Sequence, residues 1–512
     1  MTKFNPMFAS VFPALAILLA QPILEQTVCA DSPADARPNI VLIMVDDMGF
    51  SDPGCYGGEI ETPNLDRLAA SGLRFTQFYN CAKCETTRAT LMSGRFHPEV
   101  KTARLENCIT IAEVMKLAGY RTLMTGKWHL SEDPLAHGFE NYFGHLSGAT
   151  NFFRGDDTFR LGREVFEVPE DGFYTTDANT DYAIQFLNET ENEKPFFLYI
   201  AHNAPHYPLQ APEEDVTKYL GKYREGWDVL REQRFQRQLE IGLFPEGTVP
   251  AMRADNVPAW NDLPAREQDT YELMMATYAG MIDRVDQNLG RLLQHLESSG
   301  QLDNTLIMFW SDNGACPFQR TSERTREENL APWDPESYWV YDRGWAHACN
   351  TPFREYKQNQ HEGGICTPMI VHWPQRLADP GRITRQPGHL VDIMATCADV
   401  AEFEIPDQFE GQTTGPLRGA SLAPIFAGEV RDQADRIYFC FQGKNNAIRV
   451  GDWKLVNRNF GEFELYNLAT DRTEQNNLAD SEPEKFAEMS GIWREFSAEI
   501  GQTNRQSRRG EN

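Results

Sequence analysis

Four short, mostly apolar stretches each run straight into a polar cluster. Residues 40–45 (IVLIMV) lead to Asp46-Asp47, and residues 120–124 (YRTLM) lead to Gly126-Lys127-Trp128-His129. Residues 196–200 (FFLYI) lead to Ala201-His202-Asn203-Ala204-Pro205-His206, and residues 306–310 (LIMFW) to Asp312-Asn313. Apolar runs of this length suit strands buried on both faces, the habit of a parallel sheet. Helical patterns lie between them. Thr110 and Glu113 have capping-box spacing, Ile111, Val114, Met115 and Ala118 mark one face, and Gly119 ends the helix. From 271 to 296, apolar residues recur at helical spacing (Met274, Met275, Tyr278, Ile282, Val285, Leu289, Leu292, Leu296) until Gly300 stops the run. Strands alternating with helices predict an α/β fold, a mainly parallel central sheet with helices on both faces. Chemistry in such folds gathers at the carboxyl ends of the strands. All four polar clusters fall there.

The alternation breaks at residues 208–264, a charged, proline-containing stretch that reads as an insertion beside the site. After about residue 430 the texture changes to short strand-like pieces at 436–441, 447–450 and 453–456, followed by a helical pattern near 483–499. These predict a small C-terminal antiparallel subdomain over 431–512, frayed after Gly501, behind a catalytic α/β domain at 31–430. Residues 1–30 read as a signal peptide: Lys3, the ten-residue apolar run 11–20, then Val28-Cys29-Ala30 before Asp31. That run is too short to span a bilayer, Gln26-Thr27-Val28 makes a poor approach for acylation of Cys29, and no later run reaches about 18 apolar residues. The expectation is an exported protein, periplasmic or secreted, with no membrane partner once the signal is cleaved.

Composition narrows the function. The 512 residues are 41% apolar with 31 phenylalanines and 10 tryptophans, enough for a sizeable core and unlike a disordered chain. Against 48 basic residues stand 75 acidic ones, a net charge of −27, which argues against nucleic acid as a partner. An anionic substrate then requires a local basic pocket. Ten cysteines are ordinary usage, and no paired CxxC arrangement suggests zinc.

Asp46, Asp47, Asp312 and Asn313 offer three carboxylates and an amide oxygen. Either pair alone reads as turn punctuation. Both, placed after buried strands, read as ligands for a hard divalent cation, calcium before magnesium. Between them lies Cys84-Glu85-Thr86-Thr87-Arg88-Ala89-Thr90-Leu91-Met92-Ser93-Gly94-Arg95. It resembles the formylglycine motif of the sulfatases, Cys-x-Pro-Ser/Thr-Arg-x-x-Leu-x-Thr/Ser-Gly-Arg, with Thr86 standing where the motif has proline. Cys81 does not compete, because Glu85 occupies the place of its arginine. Arg37-Pro38-Asn39, Thr62-Pro63-Asn64-Leu65-Asp66, Gly126-Lys127-Trp128-His129, Ala204-Pro205-His206, Ser311-Asp312-Asn313-Gly314 and Glu362-Gly363-Gly364 are also similar to sulfatase segments, in family order. Asn350-Thr351-Pro352-Phe353-Arg354, followed by Lys357, is similar to bacterial arylsulfatases.

The resemblance implies a sulfate-ester hydrolase of arylsulfatase type in the alkaline-phosphatase-like superfamily. It implies that a formylglycine-generating enzyme converts Cys84 to formylglycine, whose hydrate is the nucleophile. Asp46, Asp47, Asp312 and Asn313 then hold the cation with that residue, and Arg88 orients the hydrate. Lys127 and Lys357 bind sulfate oxygens, while His129 and His206 move protons at the diol and at the leaving oxygen. The physics agrees with this division. A sulfate ester's anionic oxygens repel nucleophiles, so a cation and lysines must draw off charge. A helix predicted over 87–93, just after Cys84, turns its positive end toward that anion. His137, His145, His202 and His361 read as structural. The substrate expected is a sulfated small molecule or sulfated glycan. Two rivals stand: a phosphonate monoester or phosphodiester hydrolase with the same nucleophile, and a non-catalytic sulfated-glycan binder in which Cys84 stays a thiol.

Overall fold

Each of the four apolar stretches forms a strand, and the four lie side by side. In chain order the strands of the large sheet are β1 (Asn39–Val45), β2 (Leu73–Tyr79), β3 (Arg121–Gly126), β4 (Asn141–His145), β5 (Phe159–Leu161), β6 (Glu164–Val165), β7 (Phe196–Ala201), β8 (Thr305–Ser311), β9 (Cys366–His372), β10 (Arg382–Thr384) and β11 (Gly388–His389). Their spatial order is β10-β2-β9-β8-β1-β7-β3-β4-β5-β6, with β11 beside β2. The central four, β8-β1-β7-β3, are parallel and in register at their carboxyl ends: Met44 pairs with Trp310 and Ala201, and Ala201 with Gly126. β9 runs antiparallel between β8 and β2, so the sheet is mixed but mostly parallel. The computed structural model describes residues 1–2, 37–189, 194–431, 436–441 and 444–501, and the described residues from Arg37 on belong to one unit. The apolar run and cleavage site of the predicted signal peptide, and the predicted tail after 501, lie outside the described residues.

Alternation along the strands divides the core in two. In β1, Val41, Ile43 and Val45 join one cluster while Ile40, Leu42 and Met44 join the other. β7 and β8 split the same way, which is why their sequences carry no polar face. The helices α1 (Pro63–Ala70), α2 (Cys84–Ser93), α3 (Ile111–Leu117), α4 (Thr175–Asn188), α5 (Glu213–Thr217), α6 (Gly226–Glu240) and α7 (Ala265–Ser298) precede β8. The apolar stripe of α7 covers the first face, with Met274, Tyr278, Ile282 and Leu289 fully buried, and α2 and α3 cover the second. Each such side chain contributes about 1.5–3 kcal/mol. The capping box of α3 forms, Thr110 Oγ1 accepting from Glu113 N at 3.2 Å and Glu113 Oε2 from Thr110 N at 2.7 Å.

The structure lengthens one element that matters. Thr87 N donates to Lys83 O at 2.9 Å, adding a turn, so α2 starts at Cys84 itself rather than after it. Past a short hairpin, β12 (Gln408–Phe409) and β13 (Gln412–Thr413), comes an antiparallel sheet of β14 (Arg436–Phe441), β15 (Asn445–Val450), β16 (Trp453–Asn457) and β17 (Glu464–Asn467). The helix Pro483–Glu499 lays Met489, Trp493 and Phe496 over Ile448, Leu455 and Leu465. β17 (ELYN) sets only Leu465 and Tyr466 between two polar ends, so no apolar run or alternation announces it. Lys454 on β16 joins Glu362 and Glu474 at 2.8 and 2.7 Å, all three fully buried, and this pins the small sheet beside the Glu362-Gly363-Gly364 turn.

Candidate active site

Backbone hydrogen bonds continue the parallel register past the strand ends and so bring the polar clusters together. Asp46 N donates to Ala204 O at 3.0 Å, Lys127 N to Ala201 O at 2.8 Å, and Asp312 N to Val45 O at 2.9 Å. Two glycines permit this closeness. At Gly126, with φ of 98°, a Cβ would stand 2.0 Å from Ala201 O. At Gly314 it would stand 1.9 Å from Gly363 O. Only the residue without a Cβ fits either place.

The residues expected to carry the chemistry or hold the cation meet here. Asp46, Asp47, Cys84, Arg88, Lys127, His206, Asp312, Asn313 and Lys357 are buried, and His129 is half-buried. Asp46 Oδ2 accepts from Lys127 Nζ at 2.5 Å and from Arg88 at 3.3 Å, while Arg88 also donates to Lys127 O at 2.6 Å. Asp47 Oδ1 accepts from Lys357 Nζ and, at 2.6 Å, from Asn313 Nδ2. Asp47 N donates to Asp312 Oδ1 at 3.2 Å. His206 donates its Nδ1 proton to Tyr207 O at 2.8 Å, which fixes the tautomer and leaves Nε2 3.7 Å from Asp47 Oδ2. Asp47 and His129 sit at positive φ, 72° and 57°, a conformation costing about 1–2 kcal/mol and concentrated at functional sites.

Charge and burial oppose each other at these groups. Burial raises Asp46, yet Lys127, His206, Lys357 and Arg88 together hold it well below the usual carboxylate range. Burial, then the nearby Asp46 charge, pushes Asp312 well above it. Burial opposes the charge on Lys357, but Asp47 and the Cys84 position hold its ammonium well above its ordinary value. His129 is pushed down to about 2 by burial and by Lys127 and Arg88. Burial takes His206 down to about 4 against the pull of Asp46 and Asp47.

The donor set fits a cation. Asp46 Oδ1, Asp47 Oδ2, Asp312 Oδ2 and Asn313 Oδ1 are all buried without a hydrogen-bond partner, one oxygen from each of the four expected ligands. Cys84 Sγ and carboxylate oxygens of Asp46 and Asp312 lie within 4.8 Å of one another. Buried oxygens left without a hydrogen bond cost about 1–3 kcal/mol each unless something binds them. Oxygen donors suit a hard divalent ion.

Sequence reasoning passed over several residues here. Thr87 Oγ1 accepts from Cys81 N at 3.1 Å and donates to Asp312 O at 2.7 Å, locking the start of α2 to the end of β8. His145, at the end of β4, is buried with Nε2 unpartnered and is pushed down to about 3 by burial and by Lys127. Its strand contains Gly144 and is too short to stand out by pattern. Asn350 braces the loop after β8, accepting from Ala315 N at 3.1 Å and donating to Glu355 O at 3.2 Å. His137 and His361 sit apart from the centre, hydrogen-bonded to Ser131 O and Glu464.

Thr86 occupies the proline position of the motif. It lies in the first turn of α2, where proline is tolerated because the amide has no intrahelical acceptor. Its one hydroxyl proton is shared between Cys81 O at 3.0 Å and Lys83 O at 2.9 Å. Thr86→Pro is therefore expected to leave the folded structure intact and to raise the fraction of residue 84 carrying an aldehyde after expression in a foreign host. Peptide mass measures that fraction, and an unchanged or lower value refutes the expectation.

A buried cluster of cationic side chains and unpaired oxygens, at the carboxyl ends of a mostly parallel sheet, defines an α/β enzyme centre for an anionic ester. The chain belongs to the sulfatase family: the family model Sulfatase matches residues 38–403, and the model N-sulphoglucosamine sulphohydrolase, C-terminal, matches residues 356–502. An uncharacterized sulfatase of Schizosaccharomyces pombe is 32% identical, the match covering 91% of this chain and 94% of that one. The arylsulfatase of Klebsiella aerogenes is 30% identical, covering 78% and 94%. Among solved structures, Ps i-CgsB in complex with k-i-k-neocarrahexaose superposes with a TM-score of 0.68 at 26% identity, covering 91% of this chain and 94% of that one. The protein is a sulfuric ester hydrolase. No helix among the described residues is long and apolar enough to cross a membrane.

Proposed function

We propose that the protein is an exported, calcium-dependent sulfatase of arylsulfatase type that acts through a formylglycine made from Cys84, on a sulfated small molecule or sulfated glycan. The observation that carries this reading is the meeting of Asp46 and Asp312 oxygens with Cys84 Sγ, where Lys127, Lys357 and Arg88 pair with the aspartates and each expected ligand keeps one buried oxygen without a hydrogen bond. Residues 31–430 are proposed as the catalytic domain, with the insertion at about 208–264, and 431–512 as its C-terminal subdomain.

Asp46, Asp47, Asp312 and Asn313 would hold calcium, which would supply positive charge for the sulfate oxygens, and Cys84 converted to hydrated formylglycine would supply the attacking oxygen. The chain's own groups do the rest. Lys127 and Lys357, each already bonded to one aspartate of the pair, present their remaining N–H groups to the sulfate. Arg88, clamped by Lys127 O and Asp46, holds the start of α2 in register with the lysine. Neutral His129 accepts a proton from the nucleophile. His206, its Nδ1 proton bound to Tyr207 O, offers a bare Nε2, which has to take up a proton before passing it to the leaving oxygen. Burial of the whole centre strengthens each of these charge interactions.

The test is a paired comparison on one fully converted preparation. An aryl sulfate is expected to show a higher kcat/KM than the matching aryl phosphonate monoester or phosphodiester, and Lys357→Ala to reduce sulfate turnover by about 10²–10³-fold, the usual loss for one such donor. A preference for the phosphorus ester overturns the substrate class.

A further inference from the structure

We infer that Arg320 is a specificity-determining residue that binds a second anionic group, a carboxylate or a further sulfate, carried by the ring whose sulfate ester is cleaved. The inference rests on the sulfatase reading above.

The centre opens on the Asp47 side along a mostly apolar wall of Pro205, Tyr207, Leu209, Phe318, Val340 and Tyr341. Tyr207 adjoins His206, whose Nε2 lies beside Asp47, so the alcohol part of the ester passes along this wall as the bond breaks. Tyr338 extends the wall, its ring centroid 6.2 Å from that of Tyr207. Half-buried aromatic faces of this kind receive the flat side of an aryl or sugar ring. At the outer edge the guanidinium of Arg320 lies 4.9 Å from the centroid of the Phe318 ring. Stacking of this kind holds the planar fork in one orientation.

Arg320 is exposed, and no carboxylate among the described residues pairs with it. Two nearby arginines differ: Arg324 pairs with Glu328 and Glu336, and Arg343 with Asp342, while Arg326 bonds the backbone at Thr321 O. In a chain with 75 acidic residues against 48 basic ones, an arginine left unpaired at the mouth of the site keeps its donors free for a ligand. A carboxylate or sulfate accepts two parallel N–H bonds from such a fork, whereas a neutral ring leaves it idle.

The experiment uses calcium-loaded, fully converted protein with four substrates: phenyl sulfate, 3-carboxyphenyl sulfate, 4-carboxyphenyl sulfate and the bis-sulfate of benzene-1,3-diol. Taking the ratio of wild type to Arg320→Ala on each substrate cancels differences in leaving-group reactivity. The expected ratio of kcat/KM is near one for phenyl sulfate and about tenfold or more for at least one doubly anionic substrate, expressed mainly in KM. Arg320→Lys restores part of that loss, and added salt shrinks it. The carboxylate and bis-sulfate arms identify which anion is read. The same ratio on all four substrates overturns the inference and leaves the sulfatase reading standing. No turnover of any of them by the wild type overturns the sulfatase reading itself, and this inference with it.

Discussion

Cys84→Ala is expected to yield a folded protein that turns over no sulfate ester. Residue 84 is the first of α2, so the change removes one small buried side-chain group and no backbone hydrogen bond. That costs about 1 kcal/mol against a total stability of about 5–15 kcal/mol. The catalytic loss is of another order, because Cys84 is the residue that stands with the carboxylates of Asp46 and Asp312, and alanine offers no nucleophile there. Peptide mass on the wild type should show an aldehyde at residue 84 and a thiol at residue 81. Cys81 lies under the helix, its Sγ 3.3 Å from Thr90 Oγ1 and its thiol pushed up to about 12 by burial. Circular dichroism that matches the wild type, with activity absent, is the expected pair of results. Substantial activity in Cys84→Ala would falsify the formylglycine assignment. A wild type that keeps its thiol and binds sulfated glycans without cleaving them would establish the binder instead.

Removing the metal is expected to be nearly as severe. Chelation, or Asp312→Ala, should lower kcat/KM by at least about 10²–10³-fold, since one lost electrostatic donor of this kind costs about 2.7–4 kcal/mol. Stability gives a second readout with a definite sign. Without the ion, burial and the neighbouring Asp46 charge raise the Asp312 carboxyl well above its unfolded value. A raised carboxyl is destabilising once pH exceeds the unfolded value, so ionised Asp312 weighs against the metal-free fold near neutrality. Asp312→Ala should therefore be no less stable than metal-free wild type. Added calcium should raise the Tm of the wild type through linkage and leave the variant's unchanged. Full activity in protein shown by elemental analysis to carry no metal sinks the assignment, as does an equal calcium response in both proteins.

Much of this was legible from the chain because the signals are local. A run such as IVLIMV has no polar face to show to water, so it must be a strand covered on both sides, and β1, β7 and β8 are. A capping box, a helical stripe and a cysteine motif are likewise readable at fixed spacing, because their partners lie within a few residues. Which strands become neighbours is another matter. The order β8-β1-β7-β3, and the antiparallel insertion of β9, follow from how whole faces pack and not from any one segment. That order alone brings Asp47 to Lys357 across 310 positions of chain, and Thr87 to Asp312 across 225. It also leaves four buried oxygens without hydrogen bonds and an arginine stacked over Phe318 at the mouth of the site. Residue types and short-range geometry are properties of the sequence itself. Burial, register and the partners a polar atom lacks exist only once distant segments share one core, so the tertiary structure decided them.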